Sequence, residues 1–275
     1  MAVIEFIGVN KSYDTKANVI KDLDLKVEKG EFVTLLGESG CGKTTLLKMI
    51  NKLITGEEGQ LIVKGKSIKD WDTVQLRRQI GYVIQQIGLF PHMTIGENIT
   101  YVLSLNGTSK KICRRRAFEL IGLIGLSPGY LDKYPRELSG GQRQRVGVAR
   151  ALAADPEIVL MDEPFGAVDE RTRSQLQDDL LKLHNELHKT ILFVTHDIHE
   201  ALKLGTKIVL MNRGKVEQMG TREDLIFNPE NDFVREFFGS KGFTAILDEK
   251  LLHELYQKVL NREITMENIY SRLTQ

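Results

Sequence analysis

The stretch Phe32-Val33-Thr34-Leu35-Leu36-Gly37-Glu38-Ser39-Gly40-Cys41-Gly42-Lys43-Thr44-Thr45 decides how this chain folds. Its first five residues form a short, largely apolar run of the kind found in strands buried on both faces. Gly37 to Thr44 then matches G-x-x-x-x-G-K-[ST] at every fixed position, and Leu46-Leu47-Lys48-Met49-Ile50 follows at helical spacing. Strand, glycine loop and helix are the context that a phosphate-binding loop requires. Glycines let the backbone wrap closely, so that its N–H groups point at phosphate oxygens. The helix presents its positive N-terminal end to the same anion. Lys43 is expected to reach the β- and γ-phosphates of a nucleotide, and the Thr44 hydroxyl to hold Mg²⁺. The expected cradle runs through Gly37, Glu38, Ser39, Gly40, Cys41, Gly42, Lys43, Thr44 and Thr45.

Similar apolar runs recur at Ile80–Ile84, Ile158–Met161, Ile191–Val194 and Ile208–Met211, with helical stretches such as Arg171–His188 between several of them. That alternation predicts a parallel sheet covered by helices. The first thirty residues alternate as strands do (Val3–Ile7, then Val19–Val27), Lys29-Gly30-Glu31 marks a turn, and Asn212-Arg213-Gly214-Lys215 reads as a hairpin turn. Met93 to Ala154 lacks strand signals, which predicts an inserted helical subdomain over about 90–155. After Gly239-Ser240-Lys241-Gly242 the pattern changes. Leu251, Leu252, Leu255, Tyr256, Val259 and Leu260 follow helical spacing there, so 240–275 is expected to be a helical extension of a domain spanning 2–239. The stripe suits a helix docked on its own domain, with a dimer contact as the alternative.

The 275 residues are 41% hydrophobic and 27% charged, an ordinary globular composition. A formal charge of +1 argues against the broad basic surface of a nucleic-acid binder. The N-terminus has no secretion-signal pattern, and the longest apolar runs are too short to cross a bilayer. Cys41 and Cys113 give neither a disulfide framework nor metal-ligand spacing, in keeping with a reduced, cytosolic protein. Arg114-Arg115-Arg116 is read as a solvated helix face.

A second chemical feature is Ile158-Val159-Leu160-Met161-Asp162-Glu163, a buried strand ending in two carboxylates. Side chains alternate along a strand, so the two acids need not share a task. Asp162 is expected to support the Mg²⁺ shell and Glu163 to polarise the attacking water.

Leu138-Ser139-Gly140-Gly141-Gln142, upstream of Asp162, resembles the signature motif of the ABC transporter ATPases. It offers a hydroxyl and flexible amides at the start of a helix over Arg143–Ala154, an arrangement that an ordinary N-cap would also use. Gln85 resembles that family's Q-loop glutamine, which joins the Mg²⁺ and water site, and His196 its switch histidine on the γ-phosphate. Asp169 in Phe165-Gly166-Ala167-Val168-Asp169 resembles the D-loop, with Val168 in place of the more usual leucine. Tyr13 stands where the family stacks an aromatic on adenine. The resemblance, covering about residues 2 to 239, implies an α/β P-loop NTPase with a parallel core sheet, an N-terminal antiparallel β subdomain, the helical insertion and a short helical tail. It implies ATP and Mg²⁺ as ligands, with Glu163, His196, Gln85 and Lys43 as the catalytic set and Thr44, Gln85 and Asp162 at the metal. Two copies would sandwich two ATP molecules, the phosphate loop of one facing Ser139, Gly140, Gly141 and Gln142 of the other, and closure would drive membrane subunits.

One set of motifs without fused membrane helices favours an importer-type subunit working with separate permeases, bound to the cytoplasmic face of the membrane. Non-transport ABC ATPases usually carry coiled-coil insertions, zinc modules or tandem cassettes, none of which is visible, and no N-K-x-D motif suggests a GTPase. Ile80-Gly81-Tyr82-Val83-Ile84-Gln85-Gln86-Ile87-Gly88-Leu89-Phe90-Pro91-His92-Met93-Thr94 resembles the osmoprotectant uptake ATPases for glycine betaine, carnitine and choline, with Gln86-Ile87-Gly88 the more specific part. The resemblance implies quaternary-amine import, an extracytoplasmic substrate-binding protein, a permease coupling helix against the loop after Gln85, and no nucleic-acid partner. An importer of another small solute, such as an amino acid or polyamine, is the alternative, followed by a non-transport ABC ATPase. Many osmoprotectant ATPases also carry paired CBS modules, for which Phe243–Gln275 is too short.

Overall fold

Chain order builds two sheets and a helical layer. The molecule is described by a computed structural model covering residues 1–14, 17–85, 88–166, 168–246, 256–261 and 263–265. Strands β1 (Ala2–Asp14) and β2 (Ala17–Glu28) pair antiparallel with Ile4 opposite Val27 and Phe6 opposite Leu25. β3 (Phe32–Gly37) is buried at every residue and leads through the glycine loop into α1 (Lys43–Ile50). Next comes β4 (Glu58–Val63), which pairs with β1 on its other side, and β5 (Lys66–Ser67) at the edge, giving the order β2-β1-β4-β5. The sequence reading passes over β4. Its exposed first half shows no alternation, and only Leu61 and Val63 face the core.

α2 (Thr73–Gln79), capped by Asp72, precedes β6 (Ile80–Val83). The helical layer is α3 (Ile95–Leu105), α4 (Lys110–Leu123) and α5 (Gly140–Leu152), and among the described residues no strand interrupts it, as expected. α5 starts three residues before the expected Arg143 because Ser139 caps it. Arg116 departs from the solvated-face reading. It is half-buried, and its guanidinium donates to the Leu152 and Ala153 carbonyls, satisfying the end of α5.

β7 (Ile158–Asp162), α6 (Glu170–Leu187), β8 (Thr190–Thr195), α7 (Ile198–Leu204), β9 (Lys207–Asn212), β10 (Lys215–Gly220), α8 (Arg222–Phe227) and α9 (Asp232–Ile246) complete the chain order. The core sheet runs β10-β9-β3-β8-β7-β6, parallel from β9 to β6, with β10 returning antiparallel through the expected turn at Arg213-Gly214. Alternate residues of its central strands feed opposite cores. Val33, Leu35, Ile158, Leu160, Leu192 and Val194 pack with α1 and the antiparallel sheet, while Val159, Met161, Ile191 and Phe193 pack with α5 and α6. Leu36 pairs with Thr195, and Asp162 with Val194, so the carboxyl ends of β3, β7 and β8 lie side by side. Ligands bind at such an edge in open α/β sheets.

α9 kinks at Gly239 (φ 43°) and continues to Ile246, with Phe243 edge-on to Phe227 at 6.4 Å. Of the tail stripe, Leu251, Leu252 and Leu255 lie outside the described residues. Tyr256 and Leu260 are more than half exposed, at 58% and 57%, so these two do not dock on the domain. Among the described residues no helix is long and apolar enough to cross a membrane.

Candidate active site

The glycines of the loop after β3 answer to different constraints. At Gly37 (φ 151°) an added Cβ would come within 2.2 Å of the Met211 carbonyl oxygen, and at Gly42 (φ 110°) within 2.5 Å of Ile20 Cδ1. The loop is therefore wrapped against β9 and β2. The Lys43 ammonium is buried beneath it, donating to the Gly37 and Glu38 carbonyls at 2.7 and 2.8 Å. Lys43 thus lies under the backbone amides of the cradle.

Across the sheet edge the Thr44 hydroxyl donates to Asp162 Oδ1 at 2.8 Å. Burial pushes the Asp162 carboxyl above its ordinary range. The Thr44 hydrogen bond opposes that shift, and the charge of Glu163 adds to it. Tyr82 on neighbouring β6 is pushed up to about 12, by burial first and then by Asp162, so Asp162 faces a neutral phenol. Two oxygen donors, a hydroxyl and a partly desolvated carboxylate, fit a small hard cation.

Glu163 takes φ 43°, a left-handed conformation that costs a non-glycine residue about 1–2 kcal/mol. Its N–H donates to the Val194 carbonyl at 3.0 Å, and its own carbonyl accepts from Gly166 N–H at 3.3 Å, which holds the turn. The strained backbone aims the carboxylate away from the strand and between two partners. Gln85 Nε2 donates to Oε2 at 3.3 Å, and His196 Nδ1 lies 3.2 Å from Oε1. Residues just past the carboxyl ends of β6, β7 and β8 thus converge on one carboxylate, with Gln85 and His196 lying 78 and 33 positions from Glu163 in the chain. Functional sites are where such local strain concentrates.

The other expected residues lie around this centre in different ways. Tyr13 reaches Thr45, with hydroxyl oxygens 3.4 Å apart, and its ring is 56% exposed beside the loop. Ser139 and Gln142 form a reciprocal capping box, and Gln142 Nε2 also donates to the Tyr130 hydroxyl at 3.2 Å. Gly141 abuts α6, where an added Cβ would meet Thr172 Cγ2 at 2.6 Å, whereas nothing lies within 4 Å at Gly140. None of these signature partners belongs to the phosphate loop of the same chain. Asp169 caps α6 by accepting from Thr172 N–H at 3.0 Å, and the Thr172 hydroxyl first, then this N–H, holds its carboxyl below the usual range. Gln86, Ile87 and Ala167 lie outside the described residues. Sequence reading missed Glu200, a buried carboxylate hydrogen-bonded to Thr195 just before His196. Its signal, an acid four residues after a strand-end histidine, is too common to stand out.

A model of the ABC transporter family matches residues 20–166. The glycine betaine/carnitine/choline transport ATP-binding protein OpuCA of Bacillus subtilis is 52% identical over 92% of this chain, which spans 66% of that protein's length. The glycine betaine uptake system ATP-binding protein YehX of Escherichia coli is 47% identical, with 86% of this chain matched to 77% of that protein. Among solved structures, the dimeric post-hydrolysis state of the ATP-binding cassette MJ0796 bound to ADP and Pi superposes with a TM-score of 0.71 at 36% identity, covering 79% of this chain and 98% of that one. A family model matching more than half of the chain and a relative covered over three quarters of its length agree with the strand-edge geometry: the chain belongs to the ABC transporter family.

Proposed function

We propose that this chain binds and hydrolyses ATP with Mg²⁺, and as a homodimer powers uptake of a quaternary-amine osmoprotectant such as glycine betaine, carnitine or choline through separate permease subunits. The observation that carries the chemistry is Glu163, held between Gln85 and His196 beside the Thr44–Asp162 pair. In this reading Glu163 orients and polarises the attacking water, while His196 and Lys43 contact the γ-phosphate. Gln85 bridges the water and metal positions. Catalysis is then positioning and charge neutralisation, as in other phosphoryl transfers. Thr44, Asp162 and Gln85 would hold Mg²⁺, which when bound neutralises charge on the β- and γ-phosphates. Gly37 to Thr45 would wrap the phosphates, and Tyr13 would stack on the base.

The transport roles in the names of OpuCA and YehX support the osmoprotectant class, and the MJ0796 dimer supports assembly in pairs. Ser139, Gly140, Gly141 and Gln142 would then complete the site of the opposite copy, with Asp169 at the dimer face. The catalytic domain is taken as 2–239 with its helical subdomain at about 90–155, followed by the 240–275 extension. The exposed Ile112 and Phe118 of α4 offer apolar surface on that subdomain for a permease segment, which would put the chain on the cytoplasmic face of the membrane. An extracytoplasmic binding protein would deliver the solute, which never touches this subunit.

Glu163→Gln keeps the shape and removes the charge. It should bind ATP, lose turnover by about 10²-fold or more, and form an ATP-dependent dimer seen by light scattering. In cells the same variant should lose uptake of labelled glycine betaine, carnitine or choline. Normal ATP turnover by Glu163→Gln would sink the catalytic assignment. Unchanged uptake of all three solutes would leave the ATPase and discard the osmoprotectant reading.

A further inference from the structure

The mechanism above leaves one buried charged cluster unused. Glu200, in the first turn of α7, is 8% exposed. Its Oε2 accepts from the Thr195 hydroxyl at 2.6 Å, and its Oε1 accepts from Gln177 Nε2 at 3.3 Å. The Arg173 Nε lies 3.9 Å from that same Oε1. Thr195 Oγ1 also accepts from Asp197 N–H at 3.0 Å, so the residues on both sides of His196 are tied to one hydroxyl. On its other side Arg173 donates to the Val168 carbonyl at 3.1 Å and the Phe165 carbonyl at 3.4 Å, the segment between Glu163 and Asp169. Phe165 is itself packed on Phe193 of β8 at 5.5 Å.

We propose that Glu200 and Arg173 are positioning residues that lock His196 to the 165–169 segment, so that the histidine and the strained turn carrying Glu163 move as one unit. The geometry favours positioning over stability. A carboxylate and guanidinium 3.9 Å apart make a poor ion pair, and buried pairs of this kind are often replaced by apolar residues without loss of stability. What the cluster does supply is a link between the segment whose histidine meets the Glu163 carboxylate and the segment that follows Glu163 in the chain. Hydrogen bonds fix each half, Glu200 to Thr195 and Gln177, Arg173 to Phe165 and Val168. The 3.9 Å charge contact couples the halves, and such polar networks rigidify the elements they join.

The proposal rests on the ATPase reading, so the test carries wild type and Glu163→Gln as controls. Glu200→Gln keeps the shape but loses the charge. Arg173→Lys keeps the charge but loses the fork that grips two carbonyls. Each should lower kcat about tenfold, with KM and the equilibrium affinity for ATP within about twofold and the melting temperature nearly unchanged. The double variant should be no worse than the poorer single, since both break one unit. Should Glu200→Gln fail to fold, Thr195→Val severs the histidine side of the link and should show the same kcat-only loss. Wild-type kcat in the folded variants, losses that multiply in the double, or a kcat loss matched by lost ATP affinity would each overturn the proposal. If wild type shows no ATPase activity, or Glu163→Gln retains it, the ATPase reading falls and takes this proposal with it. If both controls behave as expected and Glu200→Gln turns over normally, only the positioning role is lost.

Discussion

Asp162 shows what a buried carboxylate costs the fold. Its carboxyl is raised by burial, so at neutral pH the fold holds a charge that the unfolded chain solvates more cheaply. The sign follows from linkage. This penalty is full above the raised folded value and is relieved as pH falls through it toward the ordinary carboxylate value of about 4. Asp162→Asn, which keeps an acceptor for Thr44, should therefore melt higher than wild type at pH 7 without Mg²⁺. The gain should shrink toward pH 4, and Mg²⁺-dependent ATP turnover should be lost. A lower melting temperature at pH 7 would show that the carboxylate is stabilising instead. Lys43, Thr44, Asp162 and Glu163 were legible in the sequence because they sit at strand ends inside short motifs. The meeting of Glu163 with Gln85 and His196, and of Glu200 with Gln177, was not, since those partners lie 78, 33 and 23 positions away.

At the scale of the element, the phosphate loop separates two uses of glycine. Gly37→Ala should abolish nucleotide binding, because the new methyl group meets a backbone carbonyl of β9 that cannot swing aside. Gly40→Ala meets nothing within 4 Å and should cost only the strain of its positive φ, about 1–2 kcal/mol, with nucleotide binding retained. Nucleotide titration and thermal unfolding of the two variants check this ordering, and equal effects would show that the loop is not pinned by β9. The same scale explains which elements were readable. The central strands announced themselves as apolar runs, and α6 began and ended within one residue of the expected 171–188. β4 was invisible because it is held by pairing with β1, some fifty residues earlier, rather than by its own pattern.

At the scale of the whole molecule, the hydrogen bonds of Ser139 and Gln142 stay within the signature and its helical subdomain. A side chain added there should leave the chain's own phosphate loop untouched. In a Glu163→Gln background, Ser139→Arg should keep monomer ATP affinity within about twofold but prevent the ATP-dependent dimer, read by titration and light scattering. Lost affinity in the monomer would place the signature at its own nucleotide. By itself the sequence determined the strand–loop–helix unit and the parallel core, and it marked the residues proposed for the phosphate, metal and water positions. Each of these is written in contiguous residues whose local preferences agree. Only the tertiary structure decided that Gln85, Glu163 and His196 share one point, and that Glu200 and Arg173 tie the segments around it. Those relations arise from strand register across the sheet, which no window of sequence contains.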